Sequence, residues 1–537
     1  IMTTAKDNIL YGGEQPPSVT SDCRCLGDLV IRQLKEVGGK KFLVSPFSGN
    51  EIFEMVSRLV TCLRSLGIKE GDAVALCSEN RIEFVVITMA VLCCNATFAP
   101  LNVTYTEREH LHAINLSRPK FIFTSPSYVN LITKTSMNVS FVKEVFVIAK
   151  DSSVPGLRSY YDLIMDPKIK NPTSFVVEPT DMQENVCLIM YSSGTTGLPK
   201  GVQLTQRNVL SALDTHQSKG LMEEATLLSV IPWFHAYGCM TMIIMCLVGT
   251  RFIFLPRFEE RAFLRSIEKY RVNMCFLVPP LMVFLAKSPL VNDYNLNSLV
   301  ILFSGAAPLS KETEDAVKKR IGVLMIRQGY GLTETTLGVL RMTDDTAKPG
   351  SVGSLTPGLY AKVLDTETGK PLGPNQPGEL CFKGDLIMKG YVGDRAATES
   401  MIDKEGWLHT GDIGYYDEDF VFFIVDRIKE LIKYKAYQVP PAEVESVLLT
   451  HPNIQDAAVV GLPDEESGEL PFAFVVKKPG AKLTEDEVVT YAAERMSPVK
   501  KLRGGVRFVD SIPKNPSGKI LRRLLRDMLN KPPKSKL

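Results

Sequence analysis

Through roughly the first 420 residues, segments whose apolar residues have helical spacing alternate with short, continuous apolar runs. The segment 51–67 shows the helical pattern, because six apolar side chains fall on one face before Gly67: Ile52, Met55, Val56, Leu59, Leu63 and Leu66. Short runs such as KFIFTS, TLLSVIPW and SLVILFSG have the length and composition of buried strands. Strands separated by helices favour an α/β fold with largely parallel sheets.

Two changes of pattern divide the chain. Between residues 350 and 426, short strands alternate with turns that contain Gly and Pro, which predicts a small β-rich subdomain. Beyond a charged link at 426–429, alternating strand and helix patterns predict a small α+β domain. We therefore predict an α/β protein with a large N-terminal domain of helix-flanked sheets that includes the β-rich subdomain (1–425), a link (426–429) and a small C-terminal domain (430–537).

Composition and charge exclude several classes of function. The apolar runs 84–100 and 240–255 are interrupted by Thr, Asn, Gly or Arg, so neither gives the roughly 20 continuous apolar residues of a membrane span. A net charge of +2 gives no indication of the basic surface that binds nucleic acid. The 11 cysteines have no paired C-x-x-C spacing, and no signal peptide is visible, so we expect a reduced intracellular compartment.

The tripeptide Ser535-Lys536-Leu537 has the form of an address read by the peroxisomal import receptor, so we expect a peroxisomal location.

The most informative local pattern is a set of seven motifs. Residues 191–201 read YSSGTTGLPKG, a loop whose backbone N–H groups, hydroxyls and lysine suit a phosphate. It is not the phosphate loop G-x-x-x-x-G-K-[ST], because Pro199 stands five positions after Gly194 and Gly201 follows Lys200. The later motifs are SGAAP (304–308), GYGLTETT (329–336), GELCFKG (378–384), GWLHTGD (406–412), DRIKELIKYKAYQVPPAEVE (426–445) and PKNPSGK (513–519).

In their order and spacing, these motifs resemble the adenylate-forming superfamily of acyl-CoA synthetases, plant coumarate–CoA ligases and beetle luciferases. The resemblance covers nearly the whole chain, and the C-terminal half is most similar to beetle luciferases and their insect fatty acyl-CoA synthetase relatives. It implies two steps: a carboxylate attacks the α-phosphate of ATP to give an acyl-adenylate and pyrophosphate, and the thiol of CoA then displaces AMP. It also implies a mobile C-terminal domain that swings about the link at 426–429, with Lys429 as pivot.

The resemblance assigns roles to residues within these motifs. The residues implied to bind ATP or AMP are Ser192, Thr195, Thr196 and Lys200 at the phosphates, Tyr330, Ala306 and Ala307 at adenine with Gly331 and Thr333 beside them, Asp412 and Arg427 at ribose, and Gln438. Glu334 is implied to help hold Mg²⁺, a hard cation that keeps much of its water. Lys519 is implied to bridge the carboxylate and the α-phosphate in the first step, and Lys433 to face the adenylate in the second. His235 and Thr333 complete the implied catalytic set.

The implied acyl pocket departs from that of the luciferases. Its expected lining is His235, Tyr237, Thr241, Arg327, Leu332, Leu337 and Gly338. Luciferases usually have serine and alanine where this chain has Leu337 and Gly338, and glycine where Ala306 stands. Exchanging a hydroxyl for an isobutyl group removes a polar contact and favours an alkyl tail. We therefore expect a fatty acid–CoA ligase for medium or long chains, with little or no light emission from luciferin.

Two alternatives stay open. The same chemistry could act on another acid, as in an aryl ligase of the coumarate type or a luciferase. From a different class, the chain could be a catalytically silent acyl or nucleotide binder. The intact set of Lys200, Glu334, Asp412 and Lys519 argues against a silent binder, because binding alone needs no charge aimed at a transition state.

Overall fold

The computed structural model describes residues 4–15, 18, 20–39, 48–137, 139–150, 154–169, 172–192, 198–216, 225–307, 309–435, 437–515 and 518–529. Thr195, Thr196 and the tripeptide Ser535-Lys536-Leu537 lie outside these residues. The phosphate-binding role of the two threonines and the import address of the tripeptide therefore stay predictions.

The helices of the described residues are mostly two to four turns long. They are α1 (Leu26–Val37), α2 (Gly49–Ser65), α3 (Ile82–Cys93), α4 (Glu107–Ser117), α5 (Val129–Ser136), α6 (Tyr160–Ile164), α7 (Gln206–His216), α8 (Ala236–Val248), α9 (Glu260–Tyr270), α10 (Pro279–Lys287), α11 (Lys311–Ile321), α12 (Arg395–Met401), α13 (Pro441–Leu449), α14 (Glu485–Arg495) and α15 (Arg522–Leu529). Short 3₁₀ helices lie at Pro126–Tyr128, Pro172–Ser174, Pro289–Asp293, Thr333–Thr335, Asp344–Thr346 and Pro498–Lys500.

The strands between these helices are mostly short. They are β1 (Thr4–Lys6), β2 (Ile9–Tyr11), β3 (Ala73–Cys77), β4 (Thr97–Leu101), β5 (Pro119–Thr124), β6 (Glu144–Val147), β7 (Arg158–Ser159), β8 (Val186–Ser192), β9 (Lys200–Thr205), β10 (Thr226–Ser229), β11 (Arg251–Phe254), β12 (Met274–Leu277), β13 (Ile301–Ser304), β14 (Met325–Gly331), β15 (Gly338–Arg341), β16 (Ser354–Leu355), β17 (Tyr360–Leu364), β18 (Gly378–Lys383), β19 (Gly390–Tyr391), β20 (Leu408–Tyr416), β21 (Phe422–Arg427), β22 (Ile432–Tyr434), β23 (Tyr437–Val439), β24 (Ile454–Asp464), β25 (Gly468–Lys477) and β26 (Gly505–Phe508).

Two large sheets form most of the N-terminal domain. One has the strand order β19-β9-β8-β4-β3-β5-β6-β7 and is parallel from β8 to β7. The other has the order β11-β10-β12-β13-β14-β15-β16 and is parallel from β11 to β14. Together with the flanking helices, these sheets confirm the α/β class.

Aromatic side chains join the two large sheets. Phe84 of α3 contacts Phe98 of β4 and also Trp233, with both pairs of ring centroids 5.6 Å apart. Trp233 in turn stacks on Phe252 of β11 at 5.8 Å. The apolar run that contains Phe84 is therefore a buried helix followed by a strand, and the run 240–255 is built in the same way from α8 and β11. None of the helices in the described part of the chain is long and apolar enough to cross a membrane.

The β-rich subdomain includes a contribution that was not predicted. Its antiparallel sheet has the order β1-β2-β17-β18-β20-β21, so it takes two strands from the N-terminal end of the chain. Tyr11 of β2 pairs with Tyr360 of β17, and their rings stack with centroids 4.9 Å apart. A pairing over such a sequence separation leaves no local pattern, because each strand alone reads only as a short apolar run.

The C-terminal domain has the predicted α+β architecture. Strands β24 and β25 form a long antiparallel pair, β22 and β26 pair with β25, and α13 and α14 contribute to the buried core. β21 ends at Arg427 and β22 begins at Ile432, so the predicted link lies around the turn between these strands. The exact domain limits stay predictions.

The start of α8 requires a residue without a Cβ atom. A Cβ added to Gly238 would lie 2.2 Å from the carbonyl oxygen of Pro232. Such an overlap with backbone forces the loop before α8 to shift. Because that loop carries His235, the position of this side chain depends on Gly238.

We expect Gly238→Ala to lower the thermal midpoint by several degrees, because overpacking costs about 1–3 kcal/mol. Differential scanning calorimetry measures the change. Gly39→Ala is the matched control, since nothing lies within 4 Å of a Cβ at that position. Equal midpoints for the two variants would contradict the proposed overlap.

Candidate active site

A large cleft opens at the carboxyl ends of the parallel strands β12, β13 and β14, the edge at which open α/β sheets bind ligands. Its volume is about 1340 Å³. The opposite wall includes Lys514, Asn515 and Lys519 of the C-terminal domain. The cleft therefore lies between the two domains.

Most of the residues predicted for the site line this one cleft. They are Ser192, Lys200, His235, Tyr237, Thr241, Ala306, Arg327, Tyr330, Gly331, Leu332, Thr333, Glu334, Leu337, Gly338, Arg427, Lys429 and Lys519. Ala307, Asp412 and Lys433 are not among the lining residues. The structure thus brings together residues from all seven motifs.

Asp412 lies just behind the cleft wall and is only 3% exposed. The hydroxyl of Tyr330 donates a hydrogen bond to its Oδ2 over 2.6 Å. Arg427, its cross-strand partner on β21, places Nε 3.1 Å from Oδ1. Burial raises the pKa of Asp412, and Arg427 opposes that shift. Oδ1 accepts no hydrogen bond from the described residues, so a sugar hydroxyl is a suitable donor for it.

Lys519 brings a positive charge to the same region. Its backbone N–H donates to Asn515 Oδ1 over 2.8 Å. Burial, followed by the neighbouring charge of Arg427, lowers the pKa of Lys519 to about 8, while Asp412 acts in the opposite direction. An added phosphate would favour the charged ammonium form.

Gly518 allows the turn before Lys519 to approach the N-terminal domain. Its φ is 81°, in the left-handed region that glycine adopts without strain. A Cβ at this position would lie 2.8 Å from Cγ of Pro280 in α10. The two domains are therefore in close contact directly beside the lysine.

Glu334 and Lys200 are linked through Tyr391. The Tyr391 hydroxyl donates to Glu334 Oε1 over 2.8 Å, and Lys200 Nζ lies 4.6 Å from the centre of the same ring. The other carboxylate oxygen of Glu334 has no hydrogen bond within the described residues. One available carboxylate oxygen fits a hydrated Mg²⁺, which binds through one or two carboxylates and the substrate phosphates.

His235 precedes α8, and its side chain lines the cleft. Its Nε2 atom is buried without a hydrogen-bond partner in the described part of the chain. Burial lowers the pKa of His235 to about 4, so the imidazole is neutral at physiological pH. A neutral ring with one unpaired nitrogen suits a hydrogen bond to a substrate oxygen.

Beyond His235 the wall is predominantly apolar. Tyr237, Phe276 and Phe303 form a row, with ring centroids 6.1 Å and 4.8 Å apart. Other apolar residues of the wall are Ile244, Met245, Leu332, Leu337, Leu340 and Met342. Two of the polar side chains in this wall have protein partners: Thr241 Oγ1 donates to the Tyr237 carbonyl, and Arg327 pairs with Asp344 at 2.6 Å.

Arg341 is a second cation of the wall, and its guanidinium donates to the Thr215 carbonyl in the last turn of α7 over 2.6 Å. This is the position at which a cation stabilises a helix C-terminus. Neither arginine therefore requires a charged substrate.

Lys433, which is expected to act in the second step, does not line the cleft, whereas the expected pivot Lys429 does. Lys433 is exposed on β22, opposite Gln438 of β23, and its backbone N–H donates to Glu469. Lys429 is exposed in the turn at 428–430, between β21 and β22. The structure thus shows the arrangement with Lys519 in the cleft and Lys433 outside it, and the domain swing stays a prediction.

Sequence reasoning did not single out several residues of the site. Tyr391 was missed although it contacts both Glu334 and Lys200, because the pairing of β19 with β9 and the approach of Glu334 bring together residues that are far apart in sequence. Asn102 and Tyr105 also line the cleft. Glu379 and His409 belong to the recognised motifs GELCFKG and GWLHTGD, which could have drawn attention to them, but neither was assigned a role.

Comparison with known families and proteins gives consistent matches. Residues 32–392 match the AMP-binding enzyme family, and residues 443–519 match the AMP-binding enzyme C-terminal domain. Luciferin 4-monooxygenase of Photinus pyralis is 44% identical over 487 residues, covering 90% of this chain and 88% of that protein. Probable 4-coumarate–CoA ligase 1 of Dictyostelium discoideum is 36% identical and covers 98% of both chains.

A solved structure agrees with these sequence matches. The crystal structure of ATP-bound MatB from Rhodopseudomonas palustris superimposes with a TM-score of 0.84 at 27% identity. The match covers 94% of this chain and 99% of that one. The likeness therefore extends over both domains.

We expect Lys519 to titrate near pH 8, well below the ordinary lysine value of 10.5. Competitive acetylation of lysines at a series of pH values, read by mass spectrometry, measures this pKa. Arg427→Gln should raise the pKa by removing a like charge, and Asp412→Asn should lower it further by removing an opposite charge. Shifts in the same direction in both variants would contradict the geometry described above.

Proposed function

The chain belongs to the AMP-binding enzyme family, among its adenylate-forming acid–thiol ligases, and on this premise we propose that it is a fatty acid–CoA ligase. The reaction joins a medium- or long-chain fatty acid to CoA and converts ATP to AMP and pyrophosphate. Family membership confirms the resemblance inferred from the motifs. The choice of a fatty acid is our proposal, supported by the wall of the cleft.

The observation that carries the proposal is the apolar wall beyond His235. Leu337 contributes an isobutyl group where a luciferase has a hydroxyl, and it packs against the main hydrophobic core. Each methylene that an alkyl tail buries against such a wall contributes about 0.8 kcal/mol. A heterocycle that requires a polar contact at this position loses about 1 kcal/mol.

In the first step we propose that a fatty carboxylate oxygen attacks the α-phosphorus of ATP and pyrophosphate leaves. Lys519 places its ammonium between the carboxylate and the α-phosphate, and so stabilises charge that develops in the transition state. Neutral His235 donates a hydrogen bond to the carboxylate, and Thr333 lies beside the same phosphate. Tyr330 and Asp412 hold adenine and ribose, respectively.

The polyphosphate requires further positive charge. Glu334 would hold Mg²⁺, and the ion would neutralise phosphate charge when bound. Lys200 and Ser192, at the same end of the cleft, would contact the phosphates directly.

In the second step the CoA thiolate attacks the acyl carbon, and AMP leaves. Lys519 obstructs the cleft in the present arrangement, so we propose that the C-terminal domain swings about Lys429. The swing would withdraw Lys519 and bring Lys433 and Gln438 toward the adenylate.

A second candidate function is favoured by the relatives and by the ring row. Curated relatives carry the names luciferin 4-monooxygenase and 4-coumarate–CoA ligase, and the row of Tyr237, Phe276 and Phe303 offers faces to an aromatic acid. An aryl–CoA ligase or a luciferase would use the same first step. Substrate comparison distinguishes these functions from the fatty acid ligase.

The decisive experiment measures AMP formation from ATP and Mg²⁺ with laurate, 4-coumarate or luciferin, each with and without CoA. AMP formation that is strongest with laurate and CoA together supports the proposal. Turnover with 4-coumarate but not with laurate would replace it by the aryl ligase. Failure with every acid would favour a non-catalytic binder.

We expect Leu337→Ser to lower kcat/KM for laurate by about 5–10-fold, because the wall loses apolar contact worth about 1 kcal/mol. The same variant should increase light output from luciferin, measured in a luminometer with ATP. Leu337→Ala is the matched control, because it removes the isobutyl group without adding a hydroxyl. Equal light output from both variants would show that the hydroxyl is not what the luciferin reaction requires.

We expect the two lysines to separate the half-reactions. Lys519→Ala should lower laurate-dependent ATP–pyrophosphate exchange by about 100–1000-fold and spare the reaction of lauroyl-adenylate with CoA. Lys433→Ala should show the opposite pattern. The exposed Lys482 provides the control, because its replacement by alanine should change neither rate. Loss of both half-reactions in either variant would contradict the alternating arrangement.

A further inference from the structure

Three side chains of the β-rich subdomain bring a thiol, an imidazole and a carboxylate together. Glu379 and Cys381 stand two positions apart on β18, and His409 of β20 is the cross-strand partner of Cys381. Cys381 Sγ lies 3.5 Å from His409 Nδ1, and Glu379 Oε2 lies 3.0 Å from the same nitrogen. One donor atom from each residue lies within 4.8 Å of the others. Within the described part of the chain, this is the one group of three such residues with that geometry.

These separations resemble those around a tetrahedral zinc ion. With Zn–S of about 2.3 Å and Zn–N and Zn–O near 2.1 Å, the sulfur and nitrogen of one ion lie about 3.6 Å apart, and the nitrogen and oxygen about 3.4 Å apart. The sulfur–nitrogen distance in the protein agrees closely with this value. The nitrogen–oxygen distance needs to open by only a few tenths of an ångström.

The surroundings of His409 and Glu379 also suit a metal site. The second ring nitrogen of His409, Nε2, lies 3.4 Å from Asp403 Oδ2. Metal-binding histidines generally donate their other N–H to a carboxylate in this way. The second oxygen of Glu379, Oε1, accepts from the backbone N–H of Gly411 over 3.0 Å. These partners orient both side chains, and among the described residues the facing atoms, His409 Nδ1 and Glu379 Oε2, interact only with each other and with Cys381.

The group also has a route to solvent. Glu379 and His409 line the cleft, whereas Cys381 is fully buried behind them. Three protein donors with an opening toward the cleft leave a fourth position for water or a ligand atom. Thiolate and imidazole donors select a borderline transition metal over Mg²⁺ or Ca²⁺, which prefer oxygen.

We propose that Glu379, Cys381 and His409 form a binding site for one divalent transition-metal ion such as Zn²⁺. The site is separate from the Mg²⁺ position expected at Glu334. Binding displaces two protons to solvent, the thiol proton of Cys381 and the proton that His409 Nδ1 shares with Glu379 Oε2, and forms bonds from the metal to Sγ, Nδ1 and Oε2. His409, one of the three ligands, stands three residues before Asp412 on β20. The bound ion would therefore tether the segment expected to hold ribose to β18. The metal site would form whichever acid the enzyme uses.

Cobalt provides a direct test. The full-length protein, freed of metals by dialysis against a chelator, is titrated with Co²⁺ and followed by absorption spectroscopy. We expect a thiolate-to-cobalt charge-transfer band and visible bands of four-coordinate Co²⁺, both saturating at one ion per chain and both abolished by excess Zn²⁺. A wild-type protein that develops no thiolate band would overturn the proposal.

Variants identify the ligands. Cys381→Ala should abolish the band, and Cys275→Ala, which removes a fully buried thiol on β12, should retain it. Glu379→Gln and Asp403→Asn keep the side-chain shape and should weaken Co²⁺ binding by about 10–100-fold. They remain informative if Cys381→Ala does not fold. A band that persists in Cys381→Ala, or affinity unchanged in both carboxylate variants, would refute the site.

Discussion

The organisation of the cleft depends on one buried carboxylate, Asp412, and on the two cations that face it. Burying a carboxylate costs several kcal/mol, and an opposite charge at about 4 Å returns about 4 kcal/mol at the effective dielectric of a protein. Arg427 and Lys519 supply the opposite charges, yet the pKa of Asp412 remains raised and that of Lys519 remains lowered. Both groups are therefore incompletely stabilised in the free protein. In the proposed binding mode a nucleotide would relieve both, because its phosphate would face the ammonium and its ribose hydroxyls would donate to the carboxylate.

The turn at 428–430, about which the C-terminal domain is expected to swing, is placed so that Asp412 keeps a counter-charge. Arg427 is the last residue of β21 and is held beside Asp412 by strand pairing. The turn at 428–430 begins immediately after it. A rotation within that turn would remove Lys519 but leave Arg427 in place, so Asp412 would keep one counter-charge in either arrangement. A pivot one or two residues earlier in the chain would carry the arginine away as well.

Local patterns and motif order were sufficient for the α/β class, the β-rich subdomain and the strands and helices of the C-terminal domain. They also selected most of the side chains that line the cleft. They could not reveal that Tyr330 donates a hydrogen bond to Asp412, or that Tyr391 connects Lys200 to Glu334, because each contact joins elements that are far apart in sequence. The sequence likewise did not reveal which groups pair with Arg327 and Arg341. Yet those partners decide whether the pocket wall presents a free charge to the substrate.

The pairing of β2 with β17 has a consequence for the order of events during synthesis. The segment Ile9–Tyr11 leaves the ribosome long before Tyr360–Leu364, so its hydrogen-bonding edge has no sheet to join through most of translation. The two large sheets can assemble much of their core in that interval. The sheet that carries Asp412 and Arg427 cannot be completed until its own later strands emerge. The part of the cleft expected to hold ribose is therefore among the last features of the N-terminal domain that a nascent chain acquires.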